Sequence, residues 1–157
     1  MAEVFVLIFK LLVVVGIQKQ QEGSTILQFQ GGRTGLLAAQ NKQYEYYMRL
    51  AQRSLERKHP VAVAFDSAGK VVSELARADS DFVSNVLDQD NERLQILFQG
   101  HDGIFFLRRD HPDFRRILRA LESSKQANRR IWFVATKPSL LIEDVVLDSE
   151  EVAKNGA

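Results

Sequence analysis

Five arginines crowd one short stretch of this 157-residue chain: Arg108, Arg109, Arg115, Arg116 and Arg119. On a helix, Arg115 and Arg119 share a face at i, i+4, with Arg116 beside them. Phe105, Phe106, Trp132 and Phe133 lie nearby in sequence. Single-strand nucleic-acid binders combine a basic groove with rings: the cations meet phosphates and the rings stack on bases. Arg108, Arg109, Arg115, Arg116, Arg119, Phe105 and Trp132 are therefore the candidate nucleic-acid contacts. The structural counter-reading is that an amphipathic helix needs a polar face and that rings at strand spacing more often fill a core. Charge does not decide between them. The formal net charge is +1, which exerts no global pull on nucleic acid or anionic lipid. Residues 1–60 hold eight Lys or Arg against four Asp or Glu, and residues 61–157 hold 13 against 16.

The other chemistry-bearing sets are weaker. His101, Asp102, Asp110, His111 and Asp113 are of the types that ligate zinc or move protons. Their spacing matches no metal signature. His101-Asp102-Gly103 reads as a turn and His111-Pro112-Asp113 as a helix start. Asp79, Asp81, Asp88, Asp90 and Glu92 concentrate negative charge, but Phe82 and Val83 interrupt them and no glycine supplies the bend of a calcium loop. The chain has no cysteine, which excludes a disulfide, a thiolate zinc site and a cysteine nucleophile. No Ser/His/Asp set or paired-carboxylate motif stands out. The reading assigns no catalytic residue, no metal and no cofactor, and favours a non-enzyme.

"QFQGGRTGLLAAQ", Gln28 to Gln40, raises the question of a phosphate loop. Gly32 and Gly35 match the last two glycines of a dinucleotide fingerprint, and "VAVAFD" ends in Asp66. Gln30, however, takes the first glycine position, where the tight turn needs a residue without a Cβ. Asp66 also lies 31 residues beyond Gly35, against about 20 in the fingerprint. The glycines are expected to form a hinge.

"VFVLIFKLLVVVGI", Val4 to Ile17, is apolar except for Lys10. It is shorter than the roughly 20 residues of a membrane span, and its hydrophobicity only marginally outweighs the central lysine. Two readings compete. In the preferred one, a membrane-associated helix makes contact through Val4, Phe5, Leu7, Ile8, Leu11 and Leu12. In the other, the Val and Ile content makes a buried strand, which turns at Glu22-Gly23-Ser24 and returns over Thr25–Gln30.

The elements that must position these residues follow from periodicity. Leu36 to Lys58 contains no Gly or Pro, and Leu37, Tyr44, Met48, Ala51 and Leu55 share a stripe; Pro60 disfavours helix at His59. Beyond it the period becomes two. "VAVAF" and "VVSELARA" make a hairpin, "RLQILF" and "IFFLRR" are strands, and "IWFVAT" and "LLIEDVVL" close a last hairpin. Between them "HPDFRRILRALESSKQ" is an amphipathic helix with Phe114, Ile117, Leu118 and Leu121 on one stripe. No internal repeat is visible.

The expected architecture is α+β: a small antiparallel barrel-like domain preceded by a long helix and an apolar N-terminal segment. The strand and helix order resembles the five-stranded OB arrangement, an analogy at the level of fold alone. The expected division is 1–35 (apolar segment and hinge), 36–59 (long helix), 60–148 (β-rich domain with a helix at 112–126) and 149–157 (polar tail). The expected function is a non-enzymatic binding or assembly module, tethered through the N-terminal segment. A protein partner or a membrane surface is the expected partner, and single-stranded nucleic acid is the alternative; the oligomeric state is left open.

Overall fold

The first apolar run forms a bent strand. In the computed structural model, which describes residues 8–148, β1 (Lys10–Leu12) and β2 (Val14–Lys19) are separated only by Val13. β1 pairs antiparallel with β5 (Val61–Phe65), and β5 with β6 (Val72–Arg77). β2 pairs with β3 (Thr25–Phe29), and β3 with β4 (Thr34–Leu37). The break therefore hands one strand from one sheet to the other. At that point the Val14 N–H donates to Ser54 Oγ at 2.9 Å, on helix α1 (Tyr44–Arg57). The Ser54 hydroxyl in turn donates to the His59 carbonyl at 2.6 Å.

Asp79 begins the same order again. β7 (Asp79–Asp81), β8 (Val83–Leu87), β9 (Arg93–Phe98) and β10 (Phe105–Arg108) precede α2 (Phe114–Ala127), β11 (Ile131–Ala135) and β12 (Ile142–Leu147). Phe82 stands at the break, and the Val83 N–H donates to Ser124 Oγ at 3.0 Å. The chain divides into two units, Met1–Ala78 and Asp79–Ala157. Each holds two three-stranded antiparallel sheets and one helix. A lone parallel bridge in each, Leu36 to Val71 and Phe106 to Leu141, links the two sheets. The helices and the strands that follow them recur 70 residues apart. Only scattered identities accompany the repeat, among them Val14/Val83, Phe29/Phe98, Leu37/Leu107 and Ser54/Ser124.

Three expectations are corrected. The barrel-like, OB-like domain is not what forms: four small three-stranded sheets take its place, with no closed barrel among the described residues. The long leading helix over 36–59 is also replaced. Leu36 and Leu37 belong to β4, and α1 spans only 14 residues after four strands. The cause lies in the glycines. Gly31 and Gly32, at φ 91° and 85°, close a β3–β4 turn rather than a hinge. The segment after them zips onto β3, which buries Leu37 completely. Lastly, residues 10–12 and 14–19 are strand and not helix, with Leu11 buried, Leu12 half-buried and Ile8 exposed. Val4, Phe5 and Leu7 lie outside the described residues, as does the expected polar tail at 149–157. Among the described residues no helix is long and apolar enough to cross a membrane. The division between Ala78 and Asp79 also sets β5 and β6 with α1 instead of with the strands after them.

Each unit has its own core. Val14, Leu27, Phe29, Leu37, Tyr47, Leu50 and Ala51 pack in the first. In the second, Val83, Ile96, Phe98, Leu107, Ile117 and Leu121 hold the equivalent places, with Phe105 and Phe133 added. Volume is exchanged between equivalent positions. A Cβ on Gly35 would come within 2.8 Å of both Phe65 Cε1 and Val72 Cγ2. By strand register the second unit has Phe105 where the first has Gly35, and Ala135 where it has Phe65. Ring and gap have changed strands.

Two outcomes are expected. Ser54→Ala leaves the buried Val14 N–H without an acceptor and should lower stability by about 1–3 kcal/mol, as should Ser124→Ala. Urea unfolding measures this, and losses below about 0.5 kcal/mol in both variants would show that the strand break does not need the bond. The second outcome concerns the β5–β6 turn, where Asp66 Oδ1 accepts the Lys70 N–H at 2.9 Å and the Val71 N–H at 3.1 Å. These amides, that of Val71 foremost, hold the carboxyl below the ordinary aspartate range. The turn's stabilisation is thus complete above the ordinary aspartate pKa and is lost as the pH falls through the lower folded value. NMR titration should find the Asp66 midpoint below that of an unfolded-peptide aspartate, and a midpoint at or above it would contradict the assignment.

Candidate functional site

The five arginines have different fates. Arg108 at the end of β10 forms a bidentate pair with Asp110, at 2.9 and 3.0 Å. That hydrogen bond holds Asp110 below the usual carboxylate range. Arg109 bonds the Asp88 carboxylate and the Asp90 carbonyl. Arg116 reaches from α2 to the buried Asp144 at 2.5 Å and to the Val145 carbonyl at 2.9 Å. Burial works against its charge, but the hydrogen bond and attraction of Asp144 outweigh it, so the guanidinium titrates above its ordinary value. Arg115 and Arg119 are exposed on α2 and make no ion pair among the described residues. Phe105 is buried, in edge contact with Phe98 and Phe133. Trp132 is half-buried in β11. The set is thus brought to one unit, but its members have separate surroundings.

The larger free basic face is on α1. Tyr46, Arg49, Arg53 and Arg57 recur at i, i+3, i+7 and i+11, which is one stripe of a helix. All four are exposed, and the Arg49 guanidinium lies 5.9 Å from the Tyr46 ring centre. None of the three arginines makes an ion pair among the described residues. Residues 1–78 carry ten Lys or Arg against six Asp or Glu, whereas residues 79–157 carry eleven against fourteen. One frame, used twice, carries opposite net charge. Sequence reasoning missed this face because it considered only the apolar stripe of this helix; aligning the two units would have exposed the asymmetry.

His101 has a partner that sequence spacing concealed. Its Nδ1 lies 2.5 Å from Oδ2 of Asp81, 20 residues earlier. Asp81 is 8% exposed and also accepts the Phe82 N–H at 2.6 Å and the Gly100 N–H at 2.9 Å. A carboxylate only accepts, so Nδ1 carries the proton and Nε2 is left as the outer nitrogen. The ring sits edge-on against Phe98, Phe105 and Phe133. Register places Leu12 at the point of the first unit that corresponds to Asp81, so the frame itself does not need the pair. His111 is a helix-start residue: its Nδ1 accepts the Asp113 N–H at 2.9 Å, as Asn41 Oδ1 accepts the Gln43 N–H at 2.9 Å before α1. Its Nε2 donates to the Glu143 carbonyl at 2.7 Å. Asp102 and Asp113 do not join His101 and His111 in a single cluster. Among the described residues no three His, Asp or Glu side chains converge as metal ligands do.

Asp81→Asn should weaken the second unit by about 1–3 kcal/mol, because it loses a charge-assisted bond to His101. It should also release the His101 tautomer, read from the imidazole ¹⁵N shifts. Unchanged shifts would mean that Asp81 does not set the tautomer. No family model, curated protein or solved structure matches this chain.

Proposed function

We propose that the chain is a non-enzymatic binding module that holds single-stranded nucleic acid on its first unit. The observation that carries the reading is the inverted charge of two copies of one frame. Sheets, strand break and helix serine recur in both units, and of the α1 arginines Arg49 has a counterpart in Arg119, whereas Arg53 and Arg57 have Ser123 and Ala127 at the equivalent places. The first unit exposes unpaired Arg49, Arg53 and Arg57 beside exposed Tyr46. The second ties Arg108, Arg109 and Arg116 to its own carboxylates. Free guanidinium groups meet phosphates with two parallel N–H donors, and an exposed ring offers a base a stacking surface without regard to sequence. Arg115 and Arg119 add a smaller basic spot on α2.

Binding should weaken steeply with salt, because each neutralised phosphate releases counterions; the slope changes by about 0.7 per contact on a single strand. Fluorescence anisotropy with a labelled oligothymidylate measures it. Arg49→Glu with Arg53→Glu is expected to weaken binding more than tenfold and to flatten the salt slope by about 1.4 for the two contacts. Arg115→Ala with Arg119→Ala should cost only a few-fold. Salt-independent affinity, or full affinity after charge reversal on α1, would overturn the proposal.

A further inference from the structure

We infer that the first unit also holds a subsite for one nucleotide, taking its phosphate and its planar base, between the β3–β4 turn and the β5–β6 turn. This deepens the reading of the first unit as a nucleic-acid surface but uses different residues. A cavity of about 350 Å³ lies there, lined by Lys10, Arg33, Phe65, Asp66 and Ser67 among others. That volume is within the range of small-ligand sites. The Arg33 guanidinium carbon lies over the Phe65 ring, 3.9 Å from its centre. A guanidinium held over a ring still has N–H donors for a phosphate, and its planar cation is of the kind that stacks on a base.

The local backbone suits an incoming group. Gly31 and Gly32 precede Arg33, and a Cβ on either would meet nothing within 4 Å. Lys10, exposed at the start of β1, adds a second cation. Neither Lys10 nor Arg33 makes an ion pair among the described residues. Asp66 is the acidic member of the wall. Its Oδ1 is engaged by the Lys70 and Val71 amides, and the two cations leave the named side chains with a positive balance.

The second unit supplies the control. In the same registers it has Asp79 for Lys10 and Ala135 for Phe65, and its β9–β10 turn, residues 99–104, contains no lysine or arginine. The frame folds without the two cations and the ring. The packing exchange with Gly35 accounts for the Phe65 ring, but it does not call for the two cations beside it.

The test is an NMR titration of the full chain with adenosine 5′-monophosphate, with adenosine and inorganic phosphate run separately. The amides of Gly31, Gly32 and Gly69 should move with the mononucleotide and far less with either fragment. Arg33→Ala should weaken the response at least tenfold. Arg33→Lys, which keeps the charge but loses the planar fork, should still weaken it several-fold. In the Arg49→Glu, Arg53→Glu variant the mononucleotide response should persist while oligonucleotide affinity falls, so the subsite and the α1 face can fail separately. Displacement of the mononucleotide by an oligonucleotide would support the subsite with the strand as source, and independent binding of both would support it with the free nucleotide as source. Glycine amides that stay still, a response unchanged by Arg33→Ala, or phosphate alone giving the full effect would each overturn the assignment.

Discussion

Both units depend on one buried hydrogen bond, from the backbone of a broken strand to a serine on a helix. A strand that serves two sheets must leave one ladder before it enters the next, and at that step a backbone N–H has no strand partner. Buried and unmet, such a group costs about 1–3 kcal/mol. Ser54 accepts it from Val14, and Ser124 from Val83. The same bond fixes the helix against the break, so the apolar stripes through Leu50 and Ala51, and through Ala120 and Leu121, reach their cores. A serine in the last turn of an amphipathic helix looks unremarkable in sequence, and its acceptor role exists only once the strand has bent.

Around that shared bond the units have diverged by exchange. Gly35 and Phe65 in one become Phe105 and Ala135 in the other, which keeps the packed volume while moving a ring from the edge of one strand to the core side of another. The ring that stays at the edge, Phe65, is covered by Arg33. The ring that moved inward joins Phe98, Phe133 and the His101 edge. Leu12 becomes Asp81, which meets His101 from the β9–β10 turn. Many of the chemistry-bearing residues of this protein are places where the two copies disagree, although Arg49 recurs as Arg119.

Electrostatics follow the same division. Arg93, Arg108, Arg109 and Arg116 of the second unit sit opposite its own carboxylates, so part of its positive charge is spent internally. The arginines of α1 are exposed and make no ion pair among the described residues, so they keep more of their long-range attraction for an anion. A chain with net charge +1 can therefore still present a basic face.

Sequence alone determined the local elements wherever periodicity was clean. The alternation of Leu94, Ile96 and Phe98 placed β9, and the stripe through Phe114, Ile117, Leu118 and Leu121 placed α2. The two hairpins closing the units were legible from their turn residues, and the helix start at His111 from its proline. Tertiary structure decided what depends on partners far along the chain. Leu36 and Leu37 suit a helix by propensity, but pairing with β3 across the Gly31-Gly32 turn makes them strand. Asp81 meets His101 only because β7 and the β9–β10 turn converge. Whether an arginine is free or paired depends on which acid the fold brings within reach. The repeat itself was hidden because a fold constrains burial and a few hydrogen bonds and leaves most residue identities free. Two sequences can therefore build one frame while sharing only scattered identities.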